Sequence, residues 1–330
     1  MCHDARWLGT QGEARVSRGG ELFHERGCFG CHKLRGKGGT MSVPLDNEGN
    51  KIAQVLANRQ NLMGEKTVEA WQVQHLLDPQ RVVPESKMRN PYVTPDEALA
   101  LASYLHSLVD LALPREYVPD DYYQKYGFED LSGEQLYTRY CYACHDGGTY
   151  TLYVKEFGRF VPAVRNPDFL AAASDHYLLT TLQEGREGTE MPAWKKSVGG
   201  LRPEELGRLV EYLKAAKGAA LRSAAPDVSA GDAGRGGVLF DKLCAGCHGI
   251  AGKGGTAPTL ASRTFAAVAD EAFLAGTIAR GRRNTPMPGF ADGAGLTRNE
   301  LSDVVMYVRT LGRTPEEILR LQKGLERTNY

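Results

Sequence analysis

Cys28-Phe29-Gly30-Cys31-His32 sets a pattern, C-x-x-C-H, that two later stretches repeat. They are Cys141-Tyr142-Ala143-Cys144-His145 and Cys244-Ala245-Gly246-Cys247-His248. Two cysteines three residues apart lie on one face of a helical turn, and the histidine follows directly. Six of the seven cysteines of the chain fall in these stretches, so Cys2 alone is left over, and no internal disulfide framework is possible once the six motif cysteines are used.

The pattern is typical of covalent attachment of c-type haem. Its two thiols form thioether bonds to one porphyrin, and its histidine reaches the iron from the proximal side. A zinc ribbon pairs two C-x-x-C motifs around one metal, whereas each motif here has its own histidine. A thioredoxin-like dithiol needs a βαβ context, which this sequence lacks. We therefore predict three covalent haems c, with His32, His145 and His248 as proximal iron ligands.

The composition narrows the partners and the compartment. The 330 residues carry no net formal charge, which argues against nucleic acid or an anionic membrane as the main partner. The sequence contains neither a run long enough to cross a bilayer nor a recognisable signal peptide. Because thioether attachment normally happens outside the cytoplasm, we expect a periplasmic or otherwise extracytoplasmic protein. The chain is then expected to be a processed or truncated form of an exported precursor.

An internal repeat appears when the three motifs are aligned. Each copy has a glycine and, four residues later, an aromatic residue, both ahead of the motif. A proline in a loop, a methionine in a polar loop and a closing helix follow it. We expect the glycine to let two helices approach closely and the aromatic ring to pack on a tyrosine of the closing helix. The repeated residues are Gly19, Phe23, Pro44, Met88 and Tyr104; Gly133, Tyr137, Pro162, Met191 and Tyr212; and Gly236, Phe240, Pro258, Met287 and Tyr307.

The closing helices carry start signals. Thr94-Pro95-Asp96-Glu97 combines a cap, a proline at the first helical position and a capping-box glutamate. Thr297 with Glu300 repeats the box, whereas Pro203-Glu204-Glu205 opens the second closing helix without a clear Ser, Thr or Asp cap. A last helix is expected after Thr314, and its stripe either packs back on its own domain or docks a partner subunit.

Each repeat resembles a class I cytochrome c domain, and the three repeats cover nearly the whole chain. The resemblance implies three tandem all-α domains, each wrapped around one haem, with the N- and C-terminal helices crossing. It also implies an iron held by the motif histidine and a methionine sulphur, and a proline carbonyl that accepts a hydrogen bond from the proximal imidazole. The implied axial pairs are His32 with Met88, His145 with Met191, and His248 with Met287, and the implied prolines are Pro44, Pro162 and Pro258.

The first methionine departs from the family pattern. Met191 and Met287 each precede a proline, as the family's loop does, but Met88 precedes Arg89. The stretch 75–88 resembles the mono-haem subunits of cbb-type oxidases and the cytochrome subunit of nitric oxide reductases. Met63 or a histidine is the alternative distal ligand.

The repeats and linkers predict seven segments. The sequence between repeats is acidic and proline-containing at the first junction and rich in Ala, Ser, Gly and Pro at the second. The predicted divisions are an N-terminal extension (1–16), domain 1 (17–113), a linker (114–130), domain 2 (131–217), a linker (218–233), domain 3 (234–312) and a helical tail (313–330).

Two further stretches have open interpretations. Met1-Cys2-His3 has the form of the end of another C-x-x-C-H, so a fourth haem near Cys2 and His3 is one interpretation. A lipid-modified cysteine and a plain leftover thiol are the others. Arg280, Arg282 and Arg283 stand just before Met287, where they either steer an acidic redox partner or form an exposed loop.

The resemblance implies a non-enzymatic protein that relays electrons between redox partners through three His/Met-ligated haems. The alternative is a cytochrome c subunit of a larger membrane-associated respiratory or dehydrogenase complex. A third hypothesis, a peroxidase or reductase with a displaceable methionine, lacks a catalytic acid–base constellation beside any motif. Partners are therefore expected to be redox proteins or complex subunits.

Overall fold

The computed structural model describes residues 9–51, 61–108, 131–216, 225–228, 231–291 and 295–323. Two compact units are present. Unit 1 comprises Met1–Asp146 with Lys196–Leu201, and unit 2 comprises Gly147–Lys195 with Arg202–Tyr330. The three-domain division stays a prediction, and the Cys2–His3 stretch and both predicted linkers lie largely or wholly outside the described residues.

Unit 1 is mainly helical. Short 3-10 turns cover Cys28–Gly30 and Glu48–Asn50. The strands β1 (Lys33–Leu34) and β2 (Lys37–Gly38) form a two-stranded antiparallel hairpin. The segment 196–201 packs here, since Gly199 accepts a hydrogen bond from the backbone of Gly38 at 3.0 Å. The helices and strands of unit 1 are α1 (Gly9–Glu25), β1 (Lys33–Leu34), β2 (Lys37–Gly38), α2 (Val68–Leu77), α3 (Pro79–Val82), α4 (Pro95–Ser107), α5 (Gly133–Tyr140) and α6 (Tyr142–His145).

The crossing of α1 and α4 holds the core of unit 1. A Cβ on Gly19 would lie 2.0 Å from the carbonyl oxygen of Ala100, so only glycine allows this approach. One turn later Phe23 is buried, and its ring centroid lies 5.5 Å from that of Tyr104. The predicted roles of the glycine and the aromatic pair are confirmed for the first repeat.

Unit 2 contains the remaining described elements. Short 3-10 turns cover Lys155–Phe157 and Ile250–Gly252. The helices and strands are β3 (Leu152–Val154), β4 (Arg159–Val161), α7 (Pro167–Ala172), α8 (Asp175–Glu184), α9 (Pro203–Ala215), α10 (Ala233–Leu243), α11 (Ala245–His248), α12 (Arg263–Val268), α13 (Glu271–Arg280), α14 (Arg298–Thr310) and α15 (Pro315–Gln322).

The crossing of α10 and α14 repeats that of α1 and α4. A Cβ on Gly236 would lie 1.9 Å from the carbonyl oxygen of Asp303, and the Phe240 and Tyr307 rings are 5.2 Å apart. Arg235 adds a charged contact, with its Nε 2.7 Å from Oδ2 of Asp303. The third repeat therefore has the predicted helix crossing as well.

The predicted helix starts are confirmed. Thr94 and Thr297 form capping boxes with Glu97 and Glu300. At α9, Glu205 accepts a hydrogen bond from the backbone N–H of Arg202 at 2.8 Å, and the N-cap residue is an arginine, without a Ser, Thr or Asp cap. Thr314 and Glu317 form a further capping box at the start of α15. Leu321 is buried, so this helix packs on its own unit.

The helix-rich architecture fits the predicted all-α class, with two short hairpins added. In the longer one Leu152 pairs with Val161 and Val154 with Arg159, and Gly158 closes the turn at φ +66°. Strands this short carry little periodicity, so the sequence did not indicate them. Within the described ranges, no helix is long and apolar enough to cross a membrane.

Candidate haem-binding sites

The first motif begins where α1 ends. Gly27, at φ +67°, breaks the helix, and the 3-10 turn Cys28–Gly30 follows. Nδ1 of His32 donates a hydrogen bond to the carbonyl oxygen of Val43 at 2.9 Å. The acceptor is therefore Val43, and the prediction of Pro44 was wrong. Val43 stands eleven residues after His32, whereas Pro258 stands ten residues after His248. Because the two loops differ in length, a different carbonyl meets the imidazole ring.

The third motif begins where α10 ends, and α11 contains its histidine. Nδ1 of His248 donates to the carbonyl oxygen of Pro258 at 2.9 Å, the acceptor that the sequence predicted. Burial lowers the pKa of both His32 and His248, so each ring is neutral near pH 7. With Nδ1 occupied as a donor, Nε2 has the lone pair that an iron ligand needs.

The second motif spans the start of α6, directly after α5. Cys141 follows Tyr140, and His145 is the last residue of α6. Pro162 follows β4, and its predicted role toward His145 stays a prediction, as does the pairing of His145 with Met191.

The motif cysteines differ in exposure. Cys28, Cys141 and Cys244 are partly buried, whereas Cys247 is exposed. Burial raises the pKa of the Cys28 and Cys141 thiols to about 12, and that of Cys244 to about 11.

All three predicted distal methionines lie in loops that share two hydrogen bonds. Two residues before each methionine, a hydroxyl accepts the hydrogen bond of the methionine backbone N–H at 3.2 Å. The backbone N–H of that hydroxyl residue donates to the carbonyl three residues earlier, at 3.0 to 3.2 Å. The hydroxyl residues are Ser86, Thr189 and Thr285 for Met88, Met191 and Met287, respectively. Met63, the alternative ligand, is 66% exposed and lies outside such a loop.

Two arginines lie at the base of the second and third loops, and only Arg282 was named from the sequence, in a different role. Arg186 and Arg282 each stand five residues before the methionine and donate their backbone N–H to its carbonyl at 3.0 Å. The shared spacing R-x-x-T-x-M-P, which begins at Arg186 and at Arg282, was the available signal. The first repeat has Val83 in the same place, so the arginine is restricted to the second and third repeats.

Both arginines lie over aromatic rings of unit 2. The guanidinium carbon of Arg186 is 5.1 Å from the ring centroid of Tyr177 and 5.0 Å from that of Phe265. Arg282 lies 4.8 Å from Phe169 and 5.5 Å from Phe273. Each arginine thus joins one ring of the second repeat to one ring of the third.

The arginine cluster before Met287 is therefore not simply an exposed loop. Arg282 is committed to the aromatic rings, and Nη2 of Arg283 lies 2.6 Å from Oδ1 of Asp168. The partner-steering interpretation needs the charges of Arg280, Arg282 and Arg283. Two of these three charges are engaged in contacts within unit 2.

The residues fit a haem in two respects. Nε1 of Trp71 and Nε of Arg282 are buried donors that have no hydrogen-bond acceptor among the described residues, and haem propionates are acceptors. Thiol, imidazole and thioether donors together match c-type haem better than zinc.

Two family models match the chain. The family described as "Cytochrome C oxidase, cbb3-type, subunit III" matches residues 129–213 and 231–308, and "Cytochrome c" matches residues 16–109. The chain is a c-type cytochrome that resembles subunits of cbb3-type oxidases. Proteins of this class bind haem covalently and transport electrons in respiratory chains.

Curated proteins similar to this chain are named as cytochrome c subunits of respiratory complexes. "Cbb3-type cytochrome c oxidase subunit FixP" of Bradyrhizobium sp. (strain ORS 278) is 30% identical over 191 residues, which are 54% of this chain and 60% of that protein. "Cbb3-type cytochrome c oxidase subunit CcoP" of Azospirillum sp. (strain B510) is 24% identical over 204 residues, or 56% and 63%. "Cytochrome bc1 complex cytochrome c subunit" of Mycobacterium leprae (strain TN) is 28% identical over 190 residues, or 54% and 61%.

These matches cover only part of each relative. The chain spans about three fifths of the length of these curated relatives. No solved structure matches the chain significantly.

Proposed function

We propose that the chain carries three covalent haems c and relays single electrons between redox proteins. The supporting observation is the threefold recurrence of one methionine loop, with its hydroxyl 3.2 Å from the methionine N–H, downstream of each C-x-x-C-H turn. A loop that only filled space would not need the same hydrogen bonds three times.

The axial ligands of the proposal are His32 with Met88, His145 with Met191, and His248 with Met287. When bound, each haem supplies reversible one-electron exchange between ferric and ferrous iron. The chain would supply two protein ligands to each iron. Burial keeps the His32 and His248 rings neutral, and the carbonyls of Val43 and Pro258 orient them. Two protein ligands leave no coordination position for a substrate, which favours electron transfer over catalysis.

A second candidate is a subunit of a respiratory complex, located outside the cytoplasm. Similarity to proteins named as subunits of cbb3-type oxidase and of the bc1 complex favours it. The haem sites would be the same in both cases. Purification of the native protein under mild conditions, followed by identification of co-purifying chains, distinguishes a free carrier from a subunit.

The His/Met ligation is tested by replacing one methionine at a time with alanine. We expect Met88→Ala, Met191→Ala and Met287→Ala each to remove about one third of the methionine-to-iron charge-transfer absorption and to lower one midpoint potential. Met63→Ala is the matched control, because Met63 is exposed.

The outcome separates the two assignments for the first repeat. Loss of the absorption in Met63→Ala, with no change in Met88→Ala, would overturn the first axial pair. An unchanged spectrum in all three loop variants would overturn methionine ligation altogether.

A further inference from the structure

The first and second C-x-x-C-H turns pack against each other within unit 1. Phe29, inside the first turn, is buried, and its ring centroid lies 5.5 Å from that of Tyr140, which precedes the second turn. The guanidinium carbon of Arg139 lies 5.9 Å from the same Phe29 ring. The two turns thus share one aromatic contact.

Small residues allow the two backbones to meet. A Cβ on Gly30 would lie 3.1 Å from the carbonyl oxygen of Tyr140 and 3.4 Å from the Cβ of Ala143. A Cβ on Gly27 would lie 2.9 Å from the backbone nitrogen of Ala143. Larger residues at these places would force the turns apart.

Two side-chain contacts complete the junction. Arg89, directly after Met88, donates a hydrogen bond to the carbonyl oxygen of Ala143. Cys31 and Cys144, the second cysteines of their motifs, are neighbours at this junction. Arg89 stands where the family loop has proline, so the departure noted in the sequence serves this junction.

The third turn offers a matched contrast. Gly246 occupies the same motif position as Gly30, yet a Cβ built on it meets no described atom within 4 Å. Cys247, the counterpart of Cys31 and Cys144, is exposed. The close packing is therefore a property of the first two turns and not of the motif itself.

We propose that the haems of the first and second turns form a closely coupled pair, joined at the edges that Cys31 and Cys144 hold. The proposal rests on the proposed three-haem function, because it needs a haem on each turn. Each member of the pair would accept one electron from a reduced redox protein as its ferric iron becomes ferrous. The first electron would lower the potential for the second, because the two added charges are neighbours.

The experiment uses the holoprotein and three variants in which both cysteines of one motif become alanine. The readout is circular dichroism in the Soret region, where two adjacent haems give a signal of paired opposite sign. We expect the paired signal in the native protein and in C244A/C247A, and its loss in C28A/C31A and in C141A/C144A. Intact mass counts the haems in each sample.

The outcomes separate the pair from the function beneath it. Three haems without a paired signal would overturn the pair and leave the three-haem function standing. A signal that survives in C28A/C31A, or is lost in C244A/C247A, would also overturn the pair. Fewer than three haems in the native protein would contradict the proposed function itself.

A finer variant tests the contact without removing a haem. Gly30→Leu should weaken the paired signal by pushing the turns apart, whereas Gly246→Leu, with no described neighbour, should leave it unchanged. An equal effect of both would count against the contact. If Gly30→Leu does not fold, the cysteine variants still decide the question.

Discussion

The two units join neighbouring repeats through different surfaces. In unit 1 the first and second repeats meet at their C-x-x-C-H turns, through Phe29, Tyr140 and the Cys31–Cys144 contact. In unit 2 the second and third repeats meet at the bases of their methionine loops, through Arg186 and Arg282. The helix crossings inside the units are nevertheless closely alike, with ring centroids 5.5 and 5.2 Å apart.

This difference separates two tasks of the sequence. The crossing residues build a seat for one haem and recur from repeat to repeat. The residues that join repeats differ, since Gly30 and Arg89 serve one junction and the two arginines the other. The repeat therefore specifies each haem site, and the residues between the repeated positions specify which sites are neighbours.

The largest effect is expected at the helix crossings. Gly19→Ala and Gly236→Ala place a Cβ about 2 Å from a carbonyl oxygen, so each should destabilise its own unit by about 3 kcal/mol. Gly207→Ala in α9 is the control, because its Cβ would meet no described atom within 4 Å and alanine favours the helix. Denaturant unfolding followed by circular dichroism measures all three, and a neutral Gly19→Ala would refute the close crossing.

The arginine junction of unit 2 comes next. Arg282→Ala and Arg186→Ala each remove a cation placed over two rings, and we expect a loss of about 1–2 kcal/mol in each case. Thermal unfolding of the holoprotein is the measurement. Arg320→Ala, at an exposed position of α15, serves as the control. Equal stability of all three variants would remove the arginines from the junction.

A smaller effect is expected at the junction of unit 1. Arg89→Ala removes the hydrogen bond to the carbonyl of Ala143 and should cost about 1 kcal/mol, with partial recovery in Arg89→Lys. Thermal unfolding measures stability, and the paired Soret signal should weaken in parallel. A stability loss with an unchanged signal would make Arg89 a purely structural residue.

The smallest effect is expected for the exposed ion pair of unit 2. The hydrogen bond from Arg283 lowers the pKa of Asp168. A lowered carboxyl pKa gives stability that is present above the unfolded-state pKa and is lost as the pH falls through the folded-state value. Asp168→Asn should therefore lower Tm slightly at neutral pH and not in strong acid. A difference that persists below the pKa of Asp168 would contradict this assignment.

The sequence predicted the parts of the fold that depend on local or repeated chemistry. The capping boxes of Thr94 and Thr297 and the glycine crossings at Gly19 and Gly236 follow from residues at fixed spacing, whereas the ligand roles of the three methionines stay predictions. The predicted acceptor for His32 was wrong. Two more loop residues separate His32 from Pro44 than separate His248 from Pro258, and the carbonyl of Val43 meets the His32 ring instead.

The contacts between repeats could not be predicted from the sequence. Arg89 and Ala143 stand 54 residues apart, and no periodicity links them. Arg186 and Phe265 belong to different repeats, so their contact depends on how α8 meets α12, which a single-repeat pattern does not contain. The R-x-x-T-x-M-P spacing shows that the arginine recurs in two repeats, but it does not indicate which residues the arginines contact.

Intact-mass analysis of the native protein tests the central claim, that each C-x-x-C-H turn carries one haem, most directly. The account predicts a mass equal to the chain plus three haems, and the loss of one haem in each of C28A/C31A, C141A/C144A and C244A/C247A. A native protein with fewer than three haems, or a variant that loses none, would contradict it.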